Sequence, residues 1–511
     1  MPSSNIRELE LNFITKYFNK IFNCTYNPNN LVEIFDEGEG PAGYLMTETK
    51  LLLINFFMQI NDKEQKFLNK QLELAKENFE DVYMITVVAT RKPQISLELN
   101  GRTVDQNKLI KDFKFDKQKE QKISELPHKI HQWMYDNSLQ MDRVHKQILI
   151  AFILIGLKLR PIEIRKAEHA SDIIEIIKNV IKIKYGNDQQ FLREFDFLYT
   201  PGPIREHIKN IINLFPYELG NGDILNKFFS EFQTYQKNNE AEKGIVLTPS
   251  DVVEIMVNEL NLKPSDSVLD ICTGTGSFLC KSVEKGCTDL RGCEIVNSEY
   301  ILVKCNFIIN NLDCSRLKCN NCFNESFDNV DYAILNPPFN PKNVSYISEC
   351  GAVFRSVEAF VIKALERCNK GACFVIPMTR FSENTCELKF KSWLMENFKI
   401  NKLILLSDGV FKPNATVQCL IVSCTRNGEK GLKQEVDFVD YTNDGYGLVN
   451  KVRSKKEESK IIISKKLITP ECNWAKNDDE HDDVEVAINS MLENLYKNEL
   501  VKITDSFKLN N

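Results

Sequence analysis

An apolar segment that ends at Leu335 runs directly into the tetrapeptide Asn336-Pro337-Pro338-Phe339. The two prolines fix two φ angles and remove two backbone donors. As a result, the side-chain oxygen of Asn336 and the backbone carbonyl of Pro337 become rigid acceptors beside an exposed aromatic ring. Two convergent acceptors match the two hydrogens of an exocyclic amine, and the ring matches the face of a base. The segment therefore predicts recognition of a base amine, and a plain sharp turn is the alternative.

A glycine-rich turn follows a second apolar segment, which ends at Asp270. Glycines allow the backbone to approach a ligand closely, and the helix that begins after the turn offers free N–H groups. Glu294 ends the next apolar segment, at a position where dinucleotide folds use a carboxylate to accept the hydroxyls of a ribose. A nucleotide-like ligand is therefore predicted, and a purely structural turn is the alternative for the glycines alone. The residues of the turn are Thr273, Gly274, Thr275, Gly276, Ser277 and Phe278.

The tripeptide Leu247-Thr248-Pro249 precedes a segment with apolar residues at helical spacing. Threonine is a good N-cap residue, and proline is favoured at the first helical position. Asp251 stands three residues after Thr248, which matches a capping box. The sequence therefore predicts a helix that Thr248 caps and in which Pro249 is the first residue.

In order and spacing, these segments resemble the amino-methyltransferases that act on DNA adenine with S-adenosyl-L-methionine (SAM). The resemblance is closest to the modification subunits of Type I restriction systems and to the fused Type IIG enzymes. It covers roughly residues 220–450 and implies a Rossmann-like α/β domain with a mostly parallel sheet. The cofactor-binding residues that it implies are Leu247, Thr248, Pro249, Asp270, Thr273, Gly274, Thr275, Gly276, Ser277, Phe278, Glu294 and Asn321.

The resemblance implies methyl transfer to N6 of an adenine that is flipped out of double-stranded DNA. In this family the residues that correspond to Asn336 and Pro337 hold the amine, while Phe339 stacks on the base and Pro338 maintains the turn. Catalysis is positioning and electrostatics, without a metal for methyl transfer. Ile271 departs from the family's usual proline, and Asn321 stands where the family often has an aspartate that contacts the cofactor adenine.

Four regions differ in their sequence pattern within the 511 residues. Residues 1–122 predict a small mixed α/β domain with a hairpin between Val82 and Leu99, and residues 123–240 predict a helical domain. Apolar strand-like segments alternate with helical ones in residues 241–450, as expected of the α/β domain. Residues 451–511 predict a charged and then helical tail.

Composition limits the classes of function that the chain can have. The formal net charge is -6, so a surface that binds nucleic acid must be local. The longest apolar segment, Ile148 to Leu159, is shorter than the roughly 20 residues that a bilayer requires. The first residues lack the features of a signal peptide. We therefore expect no membrane association, reduced cysteines and an intracellular, cytoplasmic protein. Free thiols are favoured over a zinc site at Cys314, Cys319 and Cys322.

The N-terminal residues Asp36, Glu48 and Lys50 are similar to the Asp…Glu-x-Lys set at the front of Type IIG enzymes. In such a set two carboxylates hold Mg²⁺ and the lysine orients a water molecule. A working nuclease, a degenerate nuclease-like domain and an unrelated module all remain open, and Mg²⁺ is expected only with the first.

The predicted function is site-specific adenine N6 methylation in a restriction-modification system. Too few residues follow the methyltransferase-like region for a base-reading domain, so a separate specificity subunit is expected to dock on residues 123–240 and the tail. A bifunctional Type IIG nuclease and methylase is the first alternative. A protein glutamine methyltransferase, which shares the Asn-Pro-Pro turn, and a DNA-bound scaffold without activity are the others.

Overall fold

The structure is a computed structural model that describes residues 41–475 with gaps. The gaps are 48, 58, 89–93, 106–107, 110–112, 114–116, 140, 187, 201, 218–223, 235–247, 382–384, 412–416, 450–451 and 456–458. Two compact units are formed, and each consists of several stretches of chain. The first unit contains residues within 1–237, 263–265 and 273–321, and the second contains residues within 238–262, 266–272 and 322–511.

Helices and strands are numbered here in chain order. The elements that begin before residue 300 are β1 (Gly43–Met46), β2 (Lys50–Phe57), α1 (Asp62–Lys76), β3 (Asp81–Val88), β4 (Gln94–Leu99), β5 (Arg102–Thr103), α2 (Lys117–Asp136), α3 (Arg143–Leu159), α4 (Pro161–Lys166), α5 (Ala170–Tyr185), α6 (Gln189–Arg193), α7 (Pro203–Leu214), α8 (Ile224–Thr234), α9 (Ser250–Glu259), β6 (Ser267–Asp270), α10 (Ser277–Val283), β7 (Asp289–Glu294) and α11 (Asn297–Ile309).

The later elements are β8 (Leu317–Cys319), β9 (Val330–Leu335), β10 (Ser345–Ile347), β11 (Val353–Arg355), α12 (Ser356–Leu365), β12 (Cys368–Pro377), α13 (Thr385–Asn397), β13 (Lys399–Leu406), β14 (Cys419–Thr425), β15 (Gln434–Asn443), β16 (Tyr446–Val449), β17 (Val452–Lys455) and β18 (Lys460–Ile468).

The first unit begins with a five-stranded sheet in the order β1-β2-β3-β4-β5. Strands β2 and β3 are parallel and are joined through α1, whereas β3 and β4 are antiparallel, which confirms the predicted hairpin. Asn61 caps α1 in a complete capping box with Glu64. The interior residues of β2 and β3 are buried, as their nearly continuous apolar sequences lead one to expect.

Helices α2 to α8 follow this sheet, as the sequence predicts for this region. Helix α3 contains the long apolar segment, and its residues from Gln147 to Leu157 are buried. This confirms that the segment is a core helix. Across the described ranges, no helix has both the length and the apolar character that crossing a membrane requires. Helix α2 begins at Lys117 and so starts before the predicted boundary at residue 122.

Among the described residues of the second unit, one sheet has the strand order β18-β15-β13-β14-β12-β9-β6. The pairs β6–β9, β9–β12 and β13–β15 are parallel, and the other three are antiparallel. The first unit contains a further parallel pair, β7–β8. Every apolar segment that predicted a strand of the α/β region forms one. The mixed α/β architecture agrees with the predicted fold class, while the domain boundaries at 122, 240 and 450 stay predictions.

Candidate active site

Two of the predicted motifs begin at the carboxyl ends of neighbouring parallel strands in the second unit. In the register of β6 and β9, Val268 lies opposite Tyr332 and Leu269 lies opposite Ala333. Strand β6 ends at Asp270, and β9 ends at Leu335, directly before the Asn-Pro-Pro-Phe tetrapeptide. Ligands of α/β sheets bind at the carboxyl ends of strands. Within the second unit, Asp270 and the tetrapeptide therefore lie at the strand ends where ligands of such sheets bind.

The side chain of Asn336 has one satisfied and one unsatisfied end. Its Nδ2 donates a hydrogen bond of 2.9 Å to Oγ1 of Thr248. Its Oδ1 is buried and has no hydrogen-bond partner among the described residues. A buried acceptor without a partner carries a desolvation cost of about 1–3 kcal/mol. A ligand that donates a hydrogen to Oδ1 would remove this cost.

The start of α9 differs from the prediction. Pro249 occupies the N-cap position, with no side-chain cap hydrogen bond, and the N–H of Val253 donates to the Pro249 carbonyl at 3.0 Å. The prediction that Thr248 caps this helix was therefore wrong. Helical geometry begins one residue later than expected, and the Thr248 hydroxyl instead contacts the Asn336 amide, which is distant in sequence.

Phe339 is less exposed than the sequence suggested. Its ring is half-buried and packs edge-to-face on Phe411, with ring centroids 5.2 Å apart and an interplanar angle of 85°. Phe411 is 3% exposed and follows β13. Sequence analysis missed Phe411, although an aromatic residue shortly after an apolar strand was a usable signal. Pro337 is buried and Pro338 is half-buried in the same turn.

The glycine-rich turn lies in the first unit and contains two left-handed glycines. Gly274 has φ +53° and Gly276 has φ +87°. A Cβ on Gly276 would lie 2.5 Å from Cγ2 of Val303 in α11, so this glycine is required for packing. A Cβ on Gly274 would meet no described atom within 4 Å. Gly274 therefore leaves its backbone open to a ligand.

Glu294, at the end of β7, accepts backbone hydrogen bonds with both carboxylate oxygens, and one of these bonds reaches the glycine-rich turn. Oε2 accepts from the N–H of Gly274 at 2.8 Å, and Oε1 accepts from the N–H of Val296 at 2.9 Å. The residue is 9% exposed. Burial raises the pKa of the Glu294 carboxyl above its usual range, and the backbone hydrogen bonds oppose this rise. Each oxygen keeps a second lone pair, with which it could accept a ligand hydroxyl.

The remainder of the turn is held by its own side chains and by α11. The hydroxyl of Thr273 donates to the Cys293 carbonyl at 3.1 Å, and Asn306 donates to the Thr275 carbonyl at 3.1 Å. The hydroxyls of Thr275 and Ser277 lie 3.3 Å apart. These contacts fix the backbone of the turn before any ligand arrives.

Four further residues of the predicted site are Asp270, Phe278, Asn321 and Leu247. Asp270 is fully buried, and its Oδ1 accepts from the N–H of Cys272 at 2.9 Å. Phe278 is buried at the start of α10 and belongs to the core. Asn321 is half-buried just beyond β8, and its N–H donates to the Asn320 side chain at 2.8 Å. Leu247 lies outside the described residues.

Two of the three nuclease-like residues, Asp36 and Glu48, also lie outside the described residues. Lys50 is the first residue of β2, and its Nζ lies 3.8 Å from Oδ2 of Asp81. The part of the chain that the structure describes contains no group of three or more His, Cys, Asp or Glu side chains arranged to hold a metal ion. None of the described cysteines, which include Cys314, Cys319 and Cys322, forms a disulfide.

The architecture and the two motifs at strand ends define a Rossmann-like α/β methyltransferase domain. A family model described as N-6 DNA Methylase matches residues 221–508, and the chain belongs to this family.

Among curated proteins, the chain is 25% identical over 253 residues to the Type II restriction enzyme and methyltransferase RM.BcgI of Heyndrickxia coagulans, a match that covers 44% of this chain and 38% of that protein. It is 24% identical over 267 residues to the Type I restriction enzyme MjaVII methylase subunit of Methanocaldococcus jannaschii, covering 46% of each. The chain thus spans less than half the length of these relatives.

Among solved structures, a type I restriction-modification methyltransferase subunit from Streptococcus thermophilus is similar, with a TM-score of 0.48 and 14% identity. This match covers 68% of the present chain and 96% of the other.

Proposed function

We propose that this chain transfers a methyl group from SAM to N6 of adenine in DNA, as the modification component of a restriction-modification system. The observation that carries the proposal is the buried, unpartnered Oδ1 of Asn336 at the carboxyl end of β9. An exocyclic amine would satisfy this acceptor, and the Pro337 carbonyl would take the second hydrogen of the amine. Membership of the N-6 DNA methylase family supports the same reaction.

The residues of the turn fit the proposed cofactor. The open backbone at Gly274 admits a ligand, and the buried Glu294 carboxylate offers acceptors for ribose hydroxyls. When bound, SAM supplies an electrophilic methyl group on a sulfonium. Only the resemblance assigns Asn321 to the cofactor adenine, and only the resemblance assigns Leu247, Thr248 and Pro249 to cofactor binding.

The chain's own contribution to the reaction would be positioning and electrostatics. As the amine nitrogen attacks, it gains positive charge, and the Asn336 and Pro337 oxygens stabilise that charge because they are already oriented. Phe339, supported by Phe411, would stack on a flipped adenine. No covalent intermediate with the protein is required.

Double-stranded DNA and a separate specificity subunit are the proposed partners. The relative from Methanocaldococcus jannaschii is named a methylase subunit, which supports a chain that works with another. The bulk charge of -6 gives little non-specific attraction for DNA, and such a partner would supply the recognition of the target sequence.

The test is methyl transfer from radiolabelled SAM to DNA and to protein substrates, with the chain alone and with the specificity subunit that co-purifies with it. We expect N6-methyladenine in the digested DNA. Asn336→Ala should abolish transfer and leave SAM binding unchanged. Asn340→Ala is the matched control, because Asn340 is an exposed asparagine just beyond the motif. Transfer at the wild-type rate by Asn336→Ala, or label in protein alone, would overturn the proposal.

A bifunctional Type IIG enzyme is the second candidate. The relative from Heyndrickxia coagulans is named both a restriction enzyme and a methyltransferase, and the N-terminal sheet has Lys50 at the first residue of β2. Incubation of unmethylated DNA with the protein and Mg²⁺ separates the two candidates. Cleavage that Lys50→Ala abolishes, with methylation intact, would establish the nuclease.

A further inference from the structure

The hydrogen bond between Thr248 and Asn336 joins two residues that are 88 positions apart. Thr248 lies just before α9, and Asn336 lies just after β9. Both side chains are half-buried. We propose that Thr248 is a positioning residue that sets which end of the Asn336 amide faces the substrate amine. This inference rests on the proposed methyl transfer and adds a role that acts through Asn336.

The Thr248 hydroxyl is not used at the start of the helix that follows it. Pro249 is the N-cap residue of α9, and the cap has no side-chain hydrogen bond. Within the described residues, the recorded partner of the hydroxyl is the Asn336 amide at 2.9 Å. A hydroxyl at this position is thus explained by the contact with Asn336 and not by helix capping.

The orientation of the amide matters because its two ends have opposite chemistry. The oxygen accepts hydrogen bonds, whereas the NH2 group only donates them. The terminal torsion of an asparagine side chain is broad and roughly two-fold, so the side chain itself does not favour one orientation strongly. If the amide of Asn336 were reversed, its NH2 group would face the hydrogens of the substrate amine and repel them.

In the structure, Nδ2 is bonded to Thr248 and Oδ1 has no described partner. This is the orientation that the reaction needs. A hydroxyl can accept or donate, so it excludes the reversed amide only when its own proton is committed elsewhere. When the Thr248 hydroxyl donates its own hydrogen bond to another acceptor, it can only accept from Asn336, and the amide is then held with Nδ2 toward Thr248 and Oδ1 toward the substrate amine.

The proposal is tested with Thr248→Val, which keeps the shape but removes the hydroxyl, and with Thr248→Ser, which keeps the hydroxyl. Ser250→Ala is the matched control, because this exposed residue has a hydroxyl two positions away. At saturating SAM and DNA, we expect Thr248→Val to lower kcat on the order of 10- to 100-fold with the KM for DNA little changed. Thr248→Ser should restore most of the activity, and Ser250→Ala should equal wild type.

A second measurement does not depend on activity. Thr248→Val and Asn336→Ala each remove the same hydrogen bond, so their effects on the unfolding temperature should be less than additive in the double variant. Additive effects would show that the two side chains are not coupled and would overturn the proposal. A Thr248→Val enzyme with wild-type kcat, or a Thr248→Ser enzyme as slow as Thr248→Val, would overturn it as well. If wild type itself methylates no DNA, the proposed function fails first, and the positioning role fails with it.

Discussion

The buried carboxylate of Glu294 accepts the backbone N–H of Gly274 at 2.8 Å, across a turn in which both left-handed residues are glycines. This bond ties the end of β7 to the turn that follows β6. The acid that is proposed to bind the ribose therefore also shapes the loop that is proposed to hold the rest of the cofactor. Changes at either residue should alter both stability and cofactor binding, but in different proportions.

The two glycines of the turn should respond differently to substitution by alanine. Gly276→Ala combines a positive φ with a contact of 2.5 Å to Val303, so we expect it to lower the free energy of unfolding by about 3 kcal/mol. Gly274→Ala meets no described atom, so we expect a loss of about 1–2 kcal/mol from its φ of +53° alone. Urea denaturation measures both values.

For SAM binding the order should be reversed, with Gly274→Ala having the larger effect. The methyl group of Gly274→Ala would occupy the space proposed for the cofactor, so titration calorimetry should detect little SAM binding by a protein that is still folded. Tight SAM binding by Gly274→Ala would remove the turn from the proposed site.

Glu294 should make the stability of the fold depend on pH. Burial raises the pKa of the Glu294 carboxyl above its usual range. A carboxyl with a raised pKa in the folded state favours folding when it is protonated, and this contribution is lost as the pH rises through the raised pKa. Relative to Glu294→Gln, the wild-type free energy of unfolding should therefore decrease as the pH rises through the mildly acidic range. Denaturation at several pH values measures this difference.

Cofactor binding should have the opposite pH dependence. Ribose hydroxyls donate to an ionised carboxylate, so the affinity of wild type for SAM should fall as the pH falls through the same range. Glu294→Gln has one side-chain oxygen for two backbone N–H groups and should bind SAM weakly at every pH. Glu284→Gln, at an exposed position of the first unit, is the control. An unchanged SAM affinity in Glu294→Gln would contradict the assignment.

A buried ion pair joins the helical region to α11 within the first unit. Arg143 and Glu299 lie 3.7 Å apart, and their side chains are 4% and 3% exposed. Removal of one partner leaves a buried charge without its counterion, so Arg143→Met and Glu299→Gln should each lower the free energy of unfolding by about 3–5 kcal/mol. The double variant should lose less than the sum. Glu284→Ala, which breaks an exposed pair with Lys281, should cost less than about 1 kcal/mol. Additive losses in the double variant would show that the pair is not coupled.

The sequence determined the local features of this protein. Apolar segments predicted the strands of the α/β region and where they end, because a strand is limited by the residues on either side of it. The sequence also identified Asp270, the glycines that follow it and the tetrapeptide that begins at Asn336, because each is recognised from residues that are adjacent in the chain. Their order and spacing resemble those of the DNA adenine methyltransferases, and a family match over residues 221–508 shows the membership.

Only the tertiary structure decided how residues distant in the chain combine. The helix pattern after Thr248 was sufficient to predict α9 but not the partner of the Thr248 hydroxyl, because that partner comes from another strand end. The packing of Phe411 on Phe339 and the pairing of Arg143 with Glu299 likewise join separate elements. Such contacts depend on how strands are ordered and how helices pack, and no local pattern of residues encodes that order.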